Sequence, residues 1–557
     1  MSHSEYRSPW TPGWREKEWA RLEKEKWDII VVGGGITGAG ILALAARAGV
    51  RAVLLEKGDF ASGTSSRSSK MVHGGLRYLK HFQIKLTRES VRERQMLLQA
   101  APGLVEPLGF IYPVYEGEKP SPWVLEVGLG IYTHLAPDGG DYQRLDAVDL
   151  SLMAPGLKTR NLERAYRYMD AQTDDARLVL RVIHDSLIAG EGRAAALNYA
   201  RVTALAKEGN RLSGVVARDE MTGKEAEARA SLVINATGAW ADQLRHEVGE
   251  PRRLRPLRGS HLFFSLERFP VYQAIAFSHP DDGRPVFVYP WEGVALVGTT
   301  DIDHSLPLET EAAISADEAE YLLRAVQFHF PELGLEKKDV MSTQAGVRPV
   351  VDTGKADPSA ESRDHVIWHE HGLLSVTGGK LTTFRLIAVD ALREAHRINP
   401  DIPEPGSNVR VMETFDPARA IPGVSQESVR RLWGRYGGAA PHLAASFPGL
   451  LKRIAGTPYL QAELAWAAGH EPVCHLDDLM LRCFRFGILT PDGGQSLLKE
   501  LGPLLKEQLG WKDERWSEEI ARYKRILREA HSLPNSGDAI RNPINSSSCS
   551  RKSVQKK

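Results

Sequence analysis

The chain of 557 residues is long enough for two or three domains, and its content of 42% hydrophobic and 25% charged residues is ordinary for a globular enzyme. Lys plus Arg and Asp plus Glu both number 71, so the formal net charge is zero, which argues against a nucleic-acid binder. The three cysteines lack metal-ligand spacing, so no metal site or disulfide scaffold is predicted, and a reducing compartment is favoured.

Four segments follow one another along the chain. Residues 1–26 are a polar N-terminal extension, and residues 27–405 alternate β-rich runs, glycine turns and helical stretches, as an α/β and α+β region does. After a Pro-rich linker, residues 406–532 show mostly helical apolar spacing and predict a C-terminal helical domain. Residues 533–557 lack aromatic residues and long aliphatic runs, so we expect a disordered tail.

A dinucleotide-binding fingerprint opens the second segment. Residues 27–59 predict a strand, a turn, a helix and a second strand, with Gly33, Gly35 and Gly38 in the spacing Gly-x-Gly-x-x-Gly. These glycines permit a tight turn, the approach of backbone to a pyrophosphate, and close packing of helix on strand. Glu56 ends the second strand, where a carboxylate can accept hydrogen bonds from ribose hydroxyls. NAD and FAD share this half of the motif, so it does not decide between them.

The following segments favour FAD. SGTSSRSSKMVHGGLRYL (62–79) is rich in hydroxyls and glycines, as expected for a loop that runs beside a flavin. SLVINATGAWAD (231–242) predicts a strand that ends where backbone must approach a ligand. GLLSVTGGKLTTFRLIAVDALREA (372–395) predicts a strand, a double-glycine turn and a helix whose positive end could stabilise a reduced flavin. No second Gly-x-Gly-x-x-Gly motif offers a site for NAD(P)H.

Six motifs together resemble those of the FAD-dependent glycerol-3-phosphate dehydrogenase family, within the D-amino-acid-oxidase-like flavoproteins. They are GGGITGAG, TSSRSSKMVHGGLRYL, VINATGAWAD, VGTTD (297–301), AGVRPV (345–350) and TGGKLTTFR (377–385), in this order. The resemblance covers about residues 27–400, and the helical segment resembles the family's C-terminal domain. It implies a Rossmann-like FAD-binding domain interleaved with an antiparallel-sheet substrate domain, plus a C-terminal helical domain.

Two departures bear on the resemblance. Cys483 stands where the family usually carries a second Arg after Arg482. Because the resemblance places the helical domain away from the flavin, we expect this change to affect packing alone. No EF-hand pattern follows the helical domain, which favours the bacterial form over a calcium-regulated mitochondrial one.

The predicted FAD contacts lie in the segments quoted above, with Val202 in addition. These are Gly33, Gly35, Ile36, Thr37, Gly38, Glu56, Ser65, Ser66, Ser68, Ser69, His73, Gly74, Val202, Thr237, Gly238, Gly379, Lys380, Leu381 and Thr382.

The resemblance also implies the substrate, sn-glycerol 3-phosphate, and its oxidation to dihydroxyacetone phosphate by hydride transfer from C2 to flavin N5. It places Arg77, Arg348 and Lys380 at the substrate end of the flavin, where planar Arg forks suit a phosphate. Tyr78 is expected to help to bind the substrate. His73 is the candidate base, with a structural or flavin-contact role as the alternative and Arg348 as the rival. Asp301 is expected to shape a turn.

Three rival functions remain open. A glycerol-3-phosphate oxidase would use oxygen at the same site, although the inserted segment of those oxidases is not seen here. An amine or amino-acid oxidase of this fold would bind a carboxylate, whereas HGGLRY favours a phosphate. A non-catalytic flavin-binding or membrane-docking protein would show no turnover.

The electron acceptor and the location are predicted together. Without a second nucleotide motif, electrons are expected to pass to quinone, which resides in the membrane. No apolar run reaches about 18 residues, and the N-terminal residues show no signal or transit pattern, so we expect a cytoplasmic protein, peripherally associated with the cell membrane. Trp10, Trp14, Trp19 and Trp27 could contribute to that contact, but packing against the protein itself is the favoured interpretation. A homodimer is left open.

Overall fold

The computed structural model describes residues 6, 8–76, 84–118, 120–136, 141–209, 211–355, 361, 364–406 and 408–534. Its strands are β1 (Lys26–Val32), β2 (Ala52–Leu55), β3 (Met71–Val72), β4 (Val105–Tyr115), β5 (Gln143–Leu145), β6 (Leu162–Thr173), β7 (Ala194–Leu197), β8 (Ala200–Glu208), β9 (Arg211–Asp219), β10 (Glu225–Asn235), β11 (Leu254–Ser265), β12 (Ala274–Ser278), β13 (Pro285–Trp291), β14 (Val294–Gly298), β15 (Ile302–Asp303), β16 (Val340–Val351), β17 (His365–Glu370) and β18 (Leu373–Gly378).

The α-helices fall between these strands and after them. They are α1 (Trp14–Lys24), α2 (Ile36–Arg47), α3 (Ile84–Ala100), α4 (Pro122–His134), α5 (Ala147–Met153), α6 (Asp175–Ala189), α7 (Ala241–Glu247), α8 (Ala316–His329), α9 (Phe384–Ile398), α10 (Gln426–Tyr436), α11 (Ala440–Ser446), α12 (Gln461–His470), α13 (Leu476–Asp478), α14 (Phe486–Leu489), α15 (Gln495–Leu509) and α16 (Asp513–Ala530).

The first sheet is the predicted Rossmann-like sheet. Its order is β17-β18-β10-β1-β2-β7, and all these pairs are parallel except β17 with β18. Residues 29–32 of β1 are buried, as a parallel strand covered on both faces requires. β8 and β9 join as antiparallel partners at the first half of β10. The parallel strands end together, which creates the edge where α/β folds bind ligands.

The second sheet is the predicted substrate-side sheet. Its order is β15-β11-β14-β13-β12-β4-β6-β3, with β16 paired to β11 and β5 paired to β6. The pairs are antiparallel except β4 with β12, which run parallel. One face packs on α8 in a separate apolar core that includes Leu262, Val288 and Leu322. The face of β16 that is turned away from α8 therefore lies towards the first sheet and the loops of the first sheet.

The N-terminal tryptophans pack against the protein itself, which confirms the favoured interpretation. Trp10, Trp19 and Trp27 are 2%, 5% and 0% exposed. Trp19 and Trp27 belong to an apolar cluster with residues of the first sheet, including Val53. α1 thus covers one face of that sheet, and these indole rings are not available to a membrane.

The C-terminal helices share a core with the FAD-side sheet. A single apolar cluster contains Val31 of β1, Leu180 of α6 and, from the C-terminal region, Leu464 and Leu479. Cys474 and Cys483 are buried free thiols in this region. The expectation that this domain lies away from the flavin site is wrong, because its Arg485 pairs with Asp175, whose carboxylate holds the serine-rich loop at Ser68 and Lys70.

Among the described residues, none of the helices combines the length and the apolar character that a membrane crossing needs.

Candidate active site

A cavity of about 260 Å³ opens at the carboxyl ends of β1, β2 and β10. It is lined by Val32, Gly33, Gly35, Ile36, Thr37, Leu55, Glu56, Lys57, Ser62, Gly63, Thr64, Ser65, Ser68, Arg201, Val202, Ala236, Thr237, Gly238, Trp240, Gln243, Leu244, Glu247, Pro349, Gly378, Gly379, Lys380 and Leu381. Thirteen of the nineteen predicted FAD contacts are in this set. Gly38, Ser66, Ser69, His73, Gly74 and Thr382 are not, and the structure gives each of them another position.

The backbone of the glycine turn is packed so closely at Gly33 and Gly38 that a side chain there would collide with neighbouring carbonyl groups. Gly33 has φ of +114°, and a Cβ there would lie 2.5 Å from the carbonyl oxygen of Ala236. Gly38 packs directly on the carbonyl of Gly33, so it shapes the turn without lining the cavity. Gly35 faces Ser65, and the amide of Ile36 donates to Ser65 Oγ at 2.9 Å. The start of α2 therefore offers its positive end to a pyrophosphate, as predicted for FAD.

Glu56 lies at the opposite side of the same turn. Its Oε2 accepts a hydrogen bond from the amide of Gly34 at 2.7 Å, and its Oε1 accepts one from Gly58 at 2.9 Å. These two amides fix the carboxylate at the end of β2, beside Val202 of β8 in the cavity wall. The position fits the predicted ribose contact.

The serine-rich loop divides between the cavity and the protein interior. Ser65 and Ser68 line the cavity. Ser66 is 4% exposed, and its carbonyl accepts a hydrogen bond from Lys70 Nζ at 3.0 Å. Ser69 Oγ lies 2.9 Å from Nε2 of His261. Ser66 and Ser69 thus shape the loop from behind.

The His73–Gly74 segment is anchored from three sides. The amide of Gly74 donates to Asp170 Oδ1 at 2.9 Å and to the hydroxyl of Tyr132 at 3.0 Å. Arg94 Nη1 donates to the same carboxylate at 2.7 Å. Thr382 Oγ1 donates to the carbonyl of His73 at 3.3 Å, which ties this segment to the double-glycine turn. His73 is therefore held in a defined position outside the cavity wall.

The double-glycine turn enters the cavity from the other side. Gly378 and Gly379 both have positive φ, +77° and +75°, which glycine adopts without strain. Lys380 and Leu381 follow in the cavity wall, and α9 begins at Phe384. The N-terminal end of α9, where the helix dipole is positive, thus faces the site.

Arg348 stands on β16 immediately before Pro349 of the cavity wall. Its Nη1 donates to Asp301 Oδ1 at 3.0 Å, and its Nη2 donates to Thr299 Oγ1 at 3.1 Å. The Arg348 side chain keeps 24% of its surface exposed, whereas that of Asp301 keeps 3%. A second cation, Arg284, approaches the same carboxylate at 3.4 Å. The pair was not predicted, because only a turn was expected of Asp301.

His261 was also missed by the sequence analysis. It is 1% exposed, and its Nδ1 finds no hydrogen-bond partner among the described residues. Burial holds the pKa of His261 well below its usual range, and the charges of Lys70 and Arg348 add to the effect. The imidazole is neutral at physiological pH. Only its position after Arg258-Gly259-Ser260 could have signalled it, and that signal is weak.

Two predicted substrate residues, Arg77 and Tyr78, lie outside the described residues. The structure brings predicted FAD contacts from well-separated parts of the chain into one cavity wall, with Lys380 in the wall and Arg348 beside it. Three features of the cavity fit a flavin dinucleotide: the open space at the glycine turn, the N-terminal ends of the two helices, and the loop rich in hydroxyl groups.

Comparisons with known proteins agree with this geometry. A family model described as FAD dependent oxidoreductase matches residues 28–385, and one described as the C-terminal domain of alpha-glycerophosphate oxidase matches residues 397–516. The chain is 34% identical to glycerol-3-phosphate dehydrogenase 2 of Mycobacterium tuberculosis, over 95% of this chain and 94% of that protein. It is 37% identical to the aerobic glycerol-3-phosphate dehydrogenase of Bacillus subtilis, over 68% of this chain and 69% of that one.

A solved structure is similar over nearly the whole length. The glycerol-3-phosphate dehydrogenase of Bacillus halodurans, complexed with FAD, matches with a TM-score of 0.73 at 26% identity and covers 93% of this chain and 98% of its own. The fold and the site define an FAD-dependent oxidoreductase. The chain belongs to the FAD-dependent glycerol-3-phosphate dehydrogenase family, and its cofactor is FAD.

Proposed function

We propose that this protein oxidises sn-glycerol 3-phosphate to dihydroxyacetone phosphate in glycerol catabolism and passes the electrons to quinone. The observation that carries the proposal is the partly exposed guanidinium of Arg348, fixed by a buried carboxylate beside the FAD cavity. The whole-length similarity to proteins named glycerol-3-phosphate dehydrogenase supports the substrate.

The substrate is bound through its phosphate. Arg348 presents a planar fork, Lys380 contributes a second cation from the double-glycine turn, and Arg77 and Tyr78 complete the proposed set. A charge-assisted contact of this kind orients the substrate as well as binding it. Bound FAD supplies the acceptor for the hydride that leaves C2 of the substrate.

A base must take the proton of the C2 hydroxyl. We assign this role to His73, because its backbone is fixed by Thr382 and by the Gly74 anchor at the junction of the two flavin-contacting segments. An imidazole also titrates in the useful range. Arg348 remains the alternative group at the C2 oxygen.

The acceptor distinguishes a dehydrogenase from an oxidase. The C-terminal family model carries an oxidase name, whereas the relatives of high coverage carry dehydrogenase names. The test is anaerobic reduction of the holoenzyme by glycerol 3-phosphate, followed by mixing with a water-soluble quinone or with air-saturated buffer. We expect the quinone to restore the oxidised flavin spectrum much faster. Rapid stoichiometric hydrogen peroxide formation without a response to quinone would identify an oxidase.

The same experiment separates the proposal from an amine or amino-acid oxidase. Glycine, other amino acids and amines should leave the flavin spectrum unchanged under anaerobic conditions, while glycerol 3-phosphate bleaches it. Bleaching by an amino acid but not by the phosphate ester would contradict the proposal.

Peripheral contact with the membrane would deliver the protein to its quinone. α4 supports this, because its outer face exposes Trp123 at 72%, with Val124, Val127 and Ile131 on the same side. Its inner face holds Tyr132 against Gly74. The neighbouring helix α3 exposes three cations at helical spacing, Lys85, Arg88 and Arg92. An apolar face with tryptophan next to a basic helix suits an anionic lipid surface.

Co-sedimentation with vesicles tests this contact. The double variant Trp123→Ser/Val127→Ser should lose binding to vesicles that contain anionic phospholipid, whereas Ile188→Ser, at an exposed position on α6, should bind as the wild type does. Equal binding of the double variant would move the contact elsewhere. A monomer–dimer change in the double variant would identify the face as the interface of a homodimer instead.

A further inference from the structure

Asp175, the first residue of α6, connects two parts of the chain that are far apart in sequence. It is fully buried, and its Oδ2 accepts hydrogen bonds from the amide of Ser68 at 3.0 Å and from Ser68 Oγ at 2.7 Å. Lys70 Nζ donates to Oδ1 of the same carboxylate at 3.0 Å. One carboxylate thus holds both the backbone and two side chains of the serine-rich loop.

These contacts shape the cavity wall directly. Lys70 adopts φ of +54°, a conformation that is strained for a residue other than glycine and is kept only where its surroundings enforce it. Its Nζ also donates to the carbonyl of Ser66 at 3.0 Å, and its amide donates to Ser68 Oγ at 2.9 Å. Ser65 and Ser68 line the FAD cavity. A displacement of Asp175 would therefore change the surface that the flavin meets.

Asp175 is held in turn from the C-terminal domain. Arg485 forms an ion pair with Asp175 through Nη2, and its Nε donates to Asp174 Oδ1 at 3.0 Å. A third contact, from Nη1 to the carbonyl of Leu481 at 2.8 Å, fixes the guanidinium to its own domain. The side chains of Arg485 and Asp175 are 2% and 0% exposed. Removing Arg485 would leave Lys70 as the cationic partner of this buried carboxylate, so Asp175 would be held from the loop side and no longer from the C-terminal domain.

We propose that Arg485 and Asp175 are positioning residues for the flavin, through which the C-terminal domain sets the shape of the loop from Ser65 to Lys70. Neither residue lines the cavity, so their effect on the cofactor passes through Ser68 and Lys70. The inference rests on FAD binding in this cavity and is independent of the identity of the substrate.

A matched pair of variants tests the relay. Arg485→Gln removes the ion pair that reaches the loop. Arg177→Gln removes an equally buried interdomain pair, Arg177–Glu471, whose side chains are 3% and 4% exposed. The other side-chain hydrogen bond of Arg177 goes to the carbonyl of Arg435 in the C-terminal domain and not to the loop. Both variants should unfold at a lower temperature. Only Arg485→Gln should also release FAD from the holoenzyme at least tenfold faster and shift the visible absorption bands of the bound flavin.

Arg485→Lys provides a second test that tolerates a folding defect in the glutamine variant. Lysine keeps the charge but cannot contact Asp174, Asp175 and Leu481 at once. The rate of FAD release from Arg485→Lys should therefore lie between the rates of the wild type and of Arg485→Gln. If Arg485→Gln does not fold, the rate for Arg485→Lys should be about threefold higher than that of the wild type. The proposal is overturned if Arg485→Lys releases FAD at the wild-type rate, or if Arg485→Gln and Arg177→Gln release it equally fast. Neither readout depends on turnover of glycerol 3-phosphate, so failure here leaves the proposed function untouched.

Discussion

The carboxylate of Asp301 accepts a hydrogen bond from Nη1 of Arg348 at 3.0 Å, and it is almost fully buried while the arginine is not. Asp301 lies in the loop that follows β14, and Arg348 lies on β16. Both strands pair with β11, so the contact connects the two neighbours of that strand. A buried anion that fixes a partly exposed guanidinium holds its positive charge in a defined place beside the cavity, where it can attract an incoming anion. This relationship gives the substrate proposal its geometry.

Arg348→Met should keep FAD and lose most activity with glycerol 3-phosphate. A lost charge-assisted hydrogen bond costs about 1.5–3 kcal/mol, which corresponds to roughly ten- to a hundredfold in kcat/KM. Asp301→Asn should have a smaller effect in the same direction, because it loosens the arginine without removing it. Arg268→Met, at an arginine–carboxylate pair between the residues that follow β11 and those that precede β16, is the control. Normal kcat/KM in an FAD-loaded Arg348→Met enzyme would refute the phosphate contact.

Gly35→Val should abolish FAD binding. A Cβ at Gly35 would lie 3.0 Å from Ser65 Oγ, and the two methyl groups of valine would occupy the space that the pyrophosphate needs. The purified variant should be colourless at the flavin absorption bands. Gly128→Val, at a half-buried position of α4 where an added Cβ would meet no atom within 4 Å, should remain yellow. Full flavin occupancy in Gly35→Val would contradict the assignment of the turn to the cofactor.

The sequence predicted the parts of the site that local pattern determines. The turn at Gly33, the acid at Glu56 and the double glycine at Gly378–Gly379 each follow a strand and precede a helix, so their backbone geometry is encoded within a few residues. Contacts between distant segments carry no such pattern. The pairs Asp301–Arg348 and Asp175–Arg485 join residues 47 and 310 positions apart, and nothing in either local sequence indicates its partner.

The same distinction explains the error about the C-terminal domain. The helical periodicity after residue 424 predicted the helices correctly, but it does not say which surface they cover. The arginines that follow α13 resemble ordinary surface charges in sequence. Their burial against Asp59 and Asp175 depends on the placement of α6 between the two regions, which only the tertiary structure provides.

His73→Asn should slow the reduction of the flavin by glycerol 3-phosphate in anaerobic single-turnover experiments. The deficit should be largest below neutral pH and should shrink as pH rises, because hydroxide from solvent then replaces the missing base. His371→Asn, at a histidine whose side chain is 70% exposed, should keep the wild-type profile. An unchanged rate and pH profile in His73→Asn would transfer the role to Arg348 or to solvent.

The contact between the C-terminal domain and Asp59, in the loop after β2, should make the stability of the protein depend on pH. Asp59 Oδ2 accepts a hydrogen bond from Arg482 Nε at 2.6 Å, and its Oδ1 accepts one from Asn198 at 3.0 Å. The same arginine also contacts Asp477 and Asp478, and Arg522 adds a second guanidinium at Asp477. Burial raises the pKa of Asp59 to about 8, and the charge of Asp478 adds to the effect.

Because the pKa of Asp59 is higher in the folded than in the unfolded protein, the folded state binds more protons between about pH 4 and pH 8, and its stability falls as pH rises through this range. The contribution of one proton is at most about 1.4 kcal/mol per pH unit. Asp59→Asn cannot ionise, so the free energy of unfolding of wild type minus that of the variant should decrease from pH 5 to pH 8 and level off above it. Denaturant unfolding at fixed pH values measures the difference, and a difference that stays constant or rises over this range would show that Asp59 is ionised throughout.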